Sequence, residues 1–354
     1  MALDPSAMED AAGPGDLGAM NRLLVRAPNW IGDVALSLGA VRDLRRNFPQ
    51  ARIEALARPW VAELYRAVAE IDAVRTAAGF RDGVAAIRGG FDAAVLLPNS
   101  FASALQVYAA GIEERWGYAT DGRGPLLTRR CAVPAGVRRE SQVYYYRAML
   151  AGIGLEVSAT PDTSLRCPEG WAARGAALLG GAEGWIGLNP GASYGAAKRW
   201  IPARYAAVGD ALHRETGRRV AILGGAAERT LGEDIAAAMT TSPRVLCGET
   251  TLPELVGVLS RLQLLVTNDS GPMHLAAALG VPLVAVFGPT DWRETAPVGV
   301  QHRIVRGEAE CAPCKLRECP IDHRCMTEVT VADVVAAARS LPQAGPGPDP
   351  AGVR

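Results

Sequence analysis

The sequence predicts an α/β protein built from two doubly wound domains that face a cleft. Two observations support this fold class. Short apolar runs of strand length alternate with segments of helical periodicity, first over residues 22–151 and again over residues 185–287. The chain also has 354 residues, enough for two separate hydrophobic cores. Alternation of this kind gives parallel sheets with right-handed crossovers.

The composition excludes several classes of protein. The chain carries 37 basic and 37 acidic residues, and this zero net charge argues against a nucleic-acid-binding protein. An apolar content of 49% excludes a mainly disordered chain. Neither an apolar run of membrane-spanning length nor a basic, apolar leader is found, so a cytoplasmic location is expected.

The first series of elements follows residues 1–20, which are rich in Gly, Pro and Ala and are predicted to be disordered. Apolar runs predict strands over residues 22–27, 52–57 and 93–97. Helical spacing predicts helices over residues 33–48, 61–68, 103–110 and 141–151. The first of these helices is expected to stop before Pro49, which cannot continue it.

The second series has the same alternating pattern. Strands are predicted over residues 185–188, 220–223, 245–246, 264–267 and 283–287, and helices over residues 202–215, 234–238, 253–260 and 272–279. The looser stretch between the two series separates an N-terminal domain, residues 21–165, from a C-terminal domain, residues 166–341. Residues 342–354 are again predicted to be disordered.

The first chemical motif, Arg-Ala-Pro-Asn-Trp-Ile-Gly-Asp over residues 26–33, joins the first strand to the first helix. Gly32 permits close approach of the backbone to a ligand. Asp33 lies at the helix N-terminus, where the helix dipole favours its ionised form. An ionised carboxylate at the carboxyl edge of a sheet can act as a general base. Taken alone, the local pattern favours the simpler alternative that Asp33 is a helix N-cap.

The second motif, residues 189–202, follows the first strand of the second series. Its small residues leave backbone N–H groups available to phosphate oxygens. Lys198 adds a cation there, and it is one of only two lysines among the 37 basic residues, the other being Lys315. The spacing is not that of a P-loop. The alternative is a glycine-rich surface loop with an incidental lysine.

The third motif contains Asp269, Ser270 and Gly271, which lie between a strand and a helix, with His274 in the first helical turn. The amides of Ser270 and Gly271 would bind an anion. An ordinary helix cap is the alternative, but a second such turn in one domain favours a phosphate site. A further turn ends at Glu228, which either binds ribose hydroxyls or is a solvated glutamate at a helix start.

Four of the seven cysteines, Cys311, Cys314, Cys319 and Cys325, fall close together, with His323 among them. In a reducing compartment this clustering favours a metal over disulfides. Four thiolates suit a tetrahedral structural zinc, although an Fe–S cluster or free thiols stay open. The segment lies outside the phosphate-binding motifs, so the metal would stabilise the fold without entering the chemistry.

Together these motifs resemble the lipopolysaccharide heptosyltransferases of glycosyltransferase family 9. The resemblance covers residues 22–341. It rests on residues 26–33, 97–105, 189–200, 267–274 and 286–290. Their order along the chain is more specific than any single motif. Residues 97–105, Leu-Pro-Asn-Ser-Phe-Ala-Ser-Ala-Leu, favour the branch of the family that adds the second heptose.

The resemblance implies a GT-B fold, in which two Rossmann-like domains enclose the active site. It implies inverting transfer of heptose from ADP-heptose to a lipopolysaccharide inner core that already carries one heptose on Kdo-lipid A. The C-terminal domain would bind the donor, and the N-terminal domain the acceptor. Asp33 corresponds to the family's catalytic base, and Lys198 to its diphosphate-contacting lysine. Because fixed positive charge and helix N-termini can stabilise the departing ADP, no cofactor or metal is expected for catalysis.

The resemblance also assigns binding residues on both sides. The donor site would comprise Gly191, Ser193, Tyr194, Lys198, Glu228, Asp269, Ser270, Gly271 and His274. The acceptor side would comprise Asn29, Trp30, Asn99 and Ser100. Pro272 departs from the bulkier residue of the family pattern, a difference that affects the helix start rather than the chemistry.

Other functions remain open at this point. Within the family, heptosyltransferase I or an enzyme with another heptose acceptor is the main alternative. A non-catalytic nucleotide-sugar-binding protein would need neither Asp33 nor Lys198, and a nucleotide-sugar epimerase would need no acceptor. An NAD dehydrogenase is disfavoured, because no Gly-x-Gly-x-x-Gly follows the first strand.

A lipid-linked acceptor implies contact with the inner face of the cytoplasmic membrane. Residues 21–160 carry 18 basic and 13 acidic residues, whereas residues 161–354 carry 19 and 20. The positive half is therefore the one expected to meet anionic lipid and saccharide phosphates, in a peripheral and reversible contact. The alternative is that the excess is too scattered to form a patch.

Overall fold

The computed structural model describes residues 20–181, 183–299 and 301–342. The chain divides into two compact units between Thr163 and Ser164. The domain boundary predicted from the sequence lies between residues 165 and 166. The predicted disordered segments, residues 1–20 and 342–354, lie outside the described residues except for Met20 and Pro342.

The N-terminal unit contains a six-stranded sheet within the described residues. Its strands are β1 (Arg22–Arg26), β2 (Arg52–Ala57), β3 (Ala73–Thr76), β4 (Ala93–Leu96), β5 (Glu114–Tyr118) and β6 (Arg129–Cys131). The α-helices are α1 (Ile31–Asn47), α2 (Ala62–Arg66), α3 (Phe80–Ile87), α4 (Phe101–Ala109) and α5 (Gln142–Gly152).

All paired strands of this sheet are parallel, in the order β3-β2-β1-β4-β5-β6. The chain builds outward from β1 in one direction and then crosses to β4 on the other side. The switch point therefore lies between β1 and β4, and ligands bind at the carboxyl ends of such neighbouring strands. Leu23, Leu24 and Val25 in β1 are fully buried, as both faces of the sheet are covered.

The C-terminal unit contains a second six-stranded parallel sheet within the described residues, in the order β12-β11-β10-β7-β8-β9. Its strands are β7 (Trp185–Asn189), β8 (Arg219–Ile222), β9 (Arg244–Val245), β10 (Leu262–Asn268), β11 (Leu283–Phe287) and β12 (His302–Arg306). The α-helices are α6 (Glu169–Leu178), α7 (Pro202–Thr216), α8 (Arg229–Ala238), α9 (Leu252–Leu259), α10 (Gly271–Ala278), α11 (Trp292–Thr295), α12 (Arg324–Thr327) and α13 (Val331–Arg339).

The predicted fold class, two doubly wound α/β units, is confirmed. The strands that the sequence failed to predict carry charged residues or lie at sheet edges. β5 reads Glu-Arg-Trp-Gly-Tyr and β12 reads His-Arg-Ile-Val-Arg, so neither shows an apolar run. Among the described residues, every helix falls short of the length and hydrophobicity needed to cross a membrane.

A cluster of buried side chains in the C-terminal unit supports the loop after β7. Trp200 is buried and meets Tyr205 of α7 edge to face, with 5.2 Å between ring centroids. Its indole N–H donates to the Val329 carbonyl oxygen at 3.1 Å. The loop is therefore anchored at its far end to the core that also packs α13.

Candidate active site

The switch point of the C-terminal sheet lies between β7 and β10, which are parallel neighbours with Asn189 opposite Thr267. The two strands therefore end at the same edge. The loop after β7, residues 189–200, is called the donor loop below. The second and third sequence motifs, residues 189–202 and 267–274, therefore both begin at this edge, where ligands of doubly wound sheets bind.

Two asparagines that the sequence analysis did not single out join these loops. Asn189 Nδ2 donates to Thr267 Oγ1 at 3.1 Å and to Ser270 Oγ at 3.0 Å. Asn268 Nδ2 donates to the Pro190 carbonyl oxygen at 2.6 Å, and Asn268 Oδ1 accepts from the Trp200 amide at 3.1 Å. The sequence did carry a signal for them, because each of the two neighbouring apolar strands ends in an asparagine. These bonds fix the spacing of the two loops.

Lys198 and Asp269 form a buried ion pair at the centre of this edge. Lys198 Nζ lies 2.6 Å from Asp269 Oδ2, and the side chains are only 11% and 5% exposed. The same Asp269 oxygen accepts from Thr290 Oγ1 at 2.7 Å and from Thr295 Oγ1 at 3.3 Å, both after β11. Removing one partner of such a pair would leave an uncompensated buried charge. The pair therefore places the ammonium at the strand ends, where it has further N–H groups to donate.

Tyr194 lies over this cation. Lys198 Nζ is 4.8 Å from the centroid of the Tyr194 ring, and the Arg317 guanidinium is 5.3 Å from it. The ring is 39% exposed, whereas Ser193 beside it is exposed without any such contact. The aromatic face stabilises both cations and presents one edge to solvent.

α10 begins at Gly271, and the Ser270 side chain makes no capping hydrogen bond to its first turn. The Ser270 hydroxyl instead accepts from Asn189, which leaves the first-turn amides without a side-chain cap. Pro272 in this turn has no N–H to satisfy. The amide dipoles and the helix dipole together make this a site for an anion.

His274 lies in the first turn of α10 and is only 7% exposed. Burial, followed by the positive charge of Lys198, lowers the pKa of His274 to about 4. Its imidazole is therefore neutral at physiological pH, and Nδ1 has no hydrogen-bond partner among the described residues. A neutral ring with one unused nitrogen can bind a polar group without adding charge.

The turn after β8 lies against the start of the donor loop. Glu228 Oε2 accepts from the Gly225 amide at 2.8 Å. Glu228 Oε1 approaches Gly191 so closely that a Cβ added there would lie 1.8 Å from it. The structure thus brings Glu228 to the donor loop, and Gly191 is required for this close approach.

In the N-terminal unit, α1 begins at Ile31 with Trp30 as its N-cap, and Asp33 is its third residue. The alternative that Asp33 is the N-cap is therefore wrong. Asp33 is partly exposed at the carboxyl edge of β1. Burial, followed by the negative charge of Asp33, holds the pKa of the buried Tyr146 well above its ordinary value. A partly desolvated carboxylate thus lies beside the tyrosine at this edge.

The residues predicted for the acceptor side lie in the loops after β1 and β4. The Asn29 carbonyl oxygen accepts from Trp60 Nε1 at 2.8 Å, and Asn29 Oδ1 is buried without a partner among the described residues. Asn99 Nδ2 donates to Tyr145 Oη at 2.7 Å. Ser100 caps α4, accepting from the Ser103 amide at 3.3 Å. The hydroxyl of this exposed residue still has its O–H to donate.

Four exposed aromatic side chains follow four successive strands of this sheet, one after each of β1 to β4. They are Trp30, Trp60, Phe80 and Phe101. Trp30 is the most exposed of them, at 64%. Flat apolar faces beside polar groups are typical of surfaces that bind amphipathic ligands.

A buried arginine lies below this row of aromatics. Arg26 is 6% exposed, and its Nε donates to Gln106 Oε1 at 3.1 Å. Burial, followed by the like charge of Arg58, lowers the pKa of Arg26 to about 10. The Arg26 guanidinium thus places a buried positive charge at the end of β1.

The predicted zinc site is not assembled. All four cysteines are free thiols, and the described residues contain no group of three or more His, Cys, Asp or Glu side chains arranged to hold a metal. Cys311 and Cys314 are exposed, whereas Cys325 is buried in the hydrophobic cluster of the unit. Burial, followed by the neighbouring Cys311, Cys314 and Cys319, raises the pKa of Cys325 to about 11.

This segment lies outside the donor motifs in the sequence, but in the structure it contacts one of them. His323 Nε2 lies 2.7 Å from the Ala197 carbonyl oxygen, and the Ala197 amide donates to the Arg317 carbonyl oxygen at 2.9 Å. The segment, residues 311–325, is called the cysteine segment below. It contacts the donor loop through these two hydrogen bonds.

The sequence and the fold were compared with those of known proteins. A model of glycosyltransferase family 9 (heptosyltransferase) matches residues 84–324. The chain belongs to glycosyltransferase family 9. The class of enzyme is therefore a glycosyltransferase, in place of the dehydrogenase and the non-catalytic binding protein.

Relatives of this family 9 glycosyltransferase match most of its length. Lipopolysaccharide heptosyltransferase 2 of Escherichia coli (strain K12) is 32% identical over 314 residues, which cover 80% of this chain and 88% of the relative. Lipooligosaccharide heptosyltransferase 2 of Haemophilus ducreyi is 29% identical over 308 residues, with the same coverage. The solved structure of E. coli ADP-heptose LPS heptosyltransferase II matches with a TM-score of 0.78 and 30% identity, covering 90% of this chain and 98% of that chain. The two parallel sheets are those of the GT-B class, as the sequence predicted.

Proposed function

We propose that this family 9 glycosyltransferase is a heptosyltransferase II. It transfers L-glycero-D-manno-heptose from ADP-heptose to the inner core of lipopolysaccharide, onto an acceptor that already carries one heptose on Kdo-lipid A. The observation that carries the proposal is the 32% identity to lipopolysaccharide heptosyltransferase 2 of E. coli across four-fifths of the chain. The similar structure of an ADP-heptose-dependent relative supports the same donor.

The donor side of the proposal rests on the edge between β7 and β10. The diphosphate of ADP-heptose is anionic, and the uncapped start of α10 at Ser270 and Gly271 offers amides to it. Lys198 already lies at this edge on Asp269, and its remaining N–H groups donate to the phosphate oxygens. Glu228, held beside Gly191, accepts from ribose hydroxyls.

Tyr194, Ser193 and His274 complete the donor site in this proposal. The exposed edge of Tyr194 and the exposed Ser193 contact the sugar or a phosphate. His274 binds through its unpartnered nitrogen as a neutral group, so it does not compete with Lys198 for negative charge.

The acceptor side rests on Asp33 and the loops around it. Asp33 accepts the proton of the acceptor hydroxyl, whose oxygen then attacks the anomeric carbon of the heptose. The bond from that carbon to the β-phosphate breaks, and ADP leaves with the electron pair. Lys198 and the amides of α10 stabilise the charge that develops on ADP. No step uses a metal or a cofactor.

Other acceptor contacts in this proposal come from residues of the same edge. Asn29 and Asn99 provide polar groups, and Trp30 provides an exposed ring that stacks on a sugar face. Ser100 caps α4 as an acceptor, and its exposed hydroxyl can still donate to the saccharide.

The acceptor is anchored in a membrane, and we propose that the enzyme contacts the inner face of the cytoplasmic membrane peripherally. Residues 21–160 carry the excess of basic residues, 18 against 13 acidic. Attraction of basic residues to an anionic lipid surface needs no spanning helix.

Defined acceptors test the proposal. The enzyme is incubated with ADP-heptose and lipopolysaccharide acceptors that carry no heptose, one heptose or two heptoses, and the product mass is measured. We expect one added heptose on the acceptor with one heptose. Transfer only to the heptose-free acceptor would identify heptosyltransferase I instead. Conversion of ADP-heptose without any acceptor would identify an epimerase.

A further inference from the structure

The cysteine segment holds both backbone groups of one residue of the donor loop. Ala197 precedes Lys198 in a 3-10 turn over Ala196–Lys198. Its N–H donates to the Arg317 carbonyl oxygen at 2.9 Å, and its own carbonyl oxygen lies 2.7 Å from His323 Nε2. Because a carbonyl oxygen only accepts, His323 carries its proton on Nε2. The residue before the ammonium-bearing lysine is thus held from both sides.

The same segment holds the aromatic ring over that lysine. Tyr194 Oη donates to the Lys315 carbonyl oxygen at 2.8 Å. Arg317 packs on the Tyr194 ring together with Lys198. Both lysines of the chain therefore belong to one network around Tyr194.

A glycine in the donor loop allows this close packing. Gly195 has extended backbone, so its conformation does not demand glycine. A Cβ added there would, however, lie 2.3 Å from the Arg317 carbonyl oxygen, well inside contact distance. The absence of a side chain at Gly195 is what lets the two backbones meet.

The cysteine segment is itself anchored beside Asp269. The Lys315 amide donates to the Pro289 carbonyl oxygen at 2.7 Å, and Lys315 Nζ lies 2.7 Å from Glu294. Glu294 is next to Thr295, which donates to Asp269. The segment thus connects the loop that carries Lys198 to the loop that supports the partner of Lys198.

The backbone at His323 fits a positioning role. His323 has a φ of 54°, in the left-handed region that favours glycine. Its amide donates to Cys319 Sγ at 3.3 Å. Glycine would adopt this conformation with less strain, but it would have no imidazole to donate to the Ala197 carbonyl oxygen.

We propose that the cysteine segment is a positioning element for the donor, with His323 as the positioning residue: it holds the Ala196–Lys198 turn, so that the Lys198 ammonium is in place before ADP-heptose binds. The inference rests on the proposed donor role of Lys198. A group fixed in advance loses no freedom on binding and stabilises developing charge without rearrangement. The segment acts through Lys198 and touches no reacting atom.

The affinity for ADP alone tests the inference, because ADP occupies the donor site without any transfer of heptose. His323→Ala removes the bond to Ala197, and Gly195→Ala drives the two backbones apart. Each is expected to weaken ADP binding about 3- to 10-fold by calorimetry, the range for a lost neutral hydrogen bond. The KM for ADP-heptose should rise, and the KM for the acceptor should not. His323→Gln, which keeps an N–H donor, should recover part of the loss.

Matched controls separate this effect from general damage. His213→Ala removes a ring bond to a carbonyl oxygen, that of Arg218, with nearly the same length, 2.8 Å. Gly170→Ala adds a Cβ that meets no atom within 4 Å. Both should bind ADP like the unaltered chain.

The outcomes distinguish the inference from the proposed function. If Lys198→Ala weakens ADP binding while folded His323→Ala and Gly195→Ala do not, the positioning role is overturned and the proposed function stands. If Lys198→Ala leaves ADP binding unchanged, the donor role of Lys198 fails, and the inference fails with it. Should the variants not fold, hydrogen exchange of the unaltered chain decides: an Ala197 amide that exchanges as fast as an unstructured peptide overturns the inference, and a protected amide supports it.

Discussion

His274 shows how one buried side chain couples the candidate donor site to stability. Its folded pKa of about 4 lies below the ordinary value of 6.5, chiefly because of burial. Between pH 4 and pH 6.5, His274 binds a proton in the unfolded chain but not in the folded chain. The free energy of unfolding therefore rises with pH across this window, and the contribution of His274 is fully present above pH 6.5.

The resulting prediction concerns pH-dependent unfolding. Between pH 7.5 and pH 5, His274 should account for a loss of about 2 kcal/mol in the free energy of unfolding. His274→Gln should remove that share of the loss. Urea unfolding at the two pH values measures it. Equal pH dependence in His274→Gln and the unaltered chain would contradict the buried, neutral state of the ring.

Asp33→Asn should lower the turnover number by about 10²- to 10⁴-fold, because the amide cannot accept the proton of the acceptor hydroxyl. ADP binding should stay nearly unchanged. The matched control is Asp82→Asn, since Asp82 is also the third residue of a helix in the same unit, α3. Retention of more than about a tenth of turnover in Asp33→Asn would refute the base role.

Lys198→Ala should raise the KM for ADP-heptose more than the KM for the acceptor. It also leaves Asp269 buried without its cation, so some loss of stability should accompany the change. Lys198→Arg should restore only part of donor use, because a planar guanidinium cannot take the place of a compact ammonium. Unchanged donor kinetics in Lys198→Ala would disprove the assignment.

At the scale of elements, the turn after β8 packs against the donor loop after β7 only because Gly191 has no side chain. Gly191→Ala would place a Cβ on the Glu228 carboxylate. Because that carboxylate ends a flexible side chain, it can move aside, and stability should change by less than about 1 kcal/mol. Donor use should fall about tenfold, since Glu228 leaves the ribose.

A double-mutant cycle checks this explanation. Glu228→Ala should weaken donor use by itself. Gly191→Ala introduced into Glu228→Ala should then have little further effect, because no carboxylate remains to displace. Full additivity of the two changes would show that Gly191 acts through something other than Glu228.

The elements also show what the sequence could predict. β7 and β10 were predicted because their residues are apolar, and the turns after them because Gly, Pro, Ser and Asp have local conformational preferences. Contacts between distant residues were not predictable in this way. His323 and Ala197 are 126 positions apart, and no local pattern at either residue indicates the other. The contact of the cysteine segment with the donor loop was missed for the same reason, since the spacing of cysteines does not indicate which distant loop they meet.

On the scale of the whole molecule, the uneven distribution of charge gives a test of membrane contact. The enzyme should sediment with vesicles that contain anionic lipid, and less with neutral vesicles. Each basic residue near the surface contributes about 1 kcal/mol at low salt, so binding should weaken as salt rises. Binding that is absent, or that salt does not change, would show the excess in residues 21–160 to be irrelevant.

The rarity of lysine gives the enzyme an unusual chemical property. Apart from the N-terminus, the chain has only two primary amines: that of Lys198 pairs with Asp269, and that of Lys315 pairs with Glu294. Lys315 has a side chain that is 52% exposed, whereas that of Lys198 is 11% exposed. An amine-selective reagent therefore labels the N-terminus and the exposed Lys315 beside the donor loop, and leaves the arginine side chains unmodified. A fluorophore attached to Lys315 would report occupancy of that loop without any engineered residue.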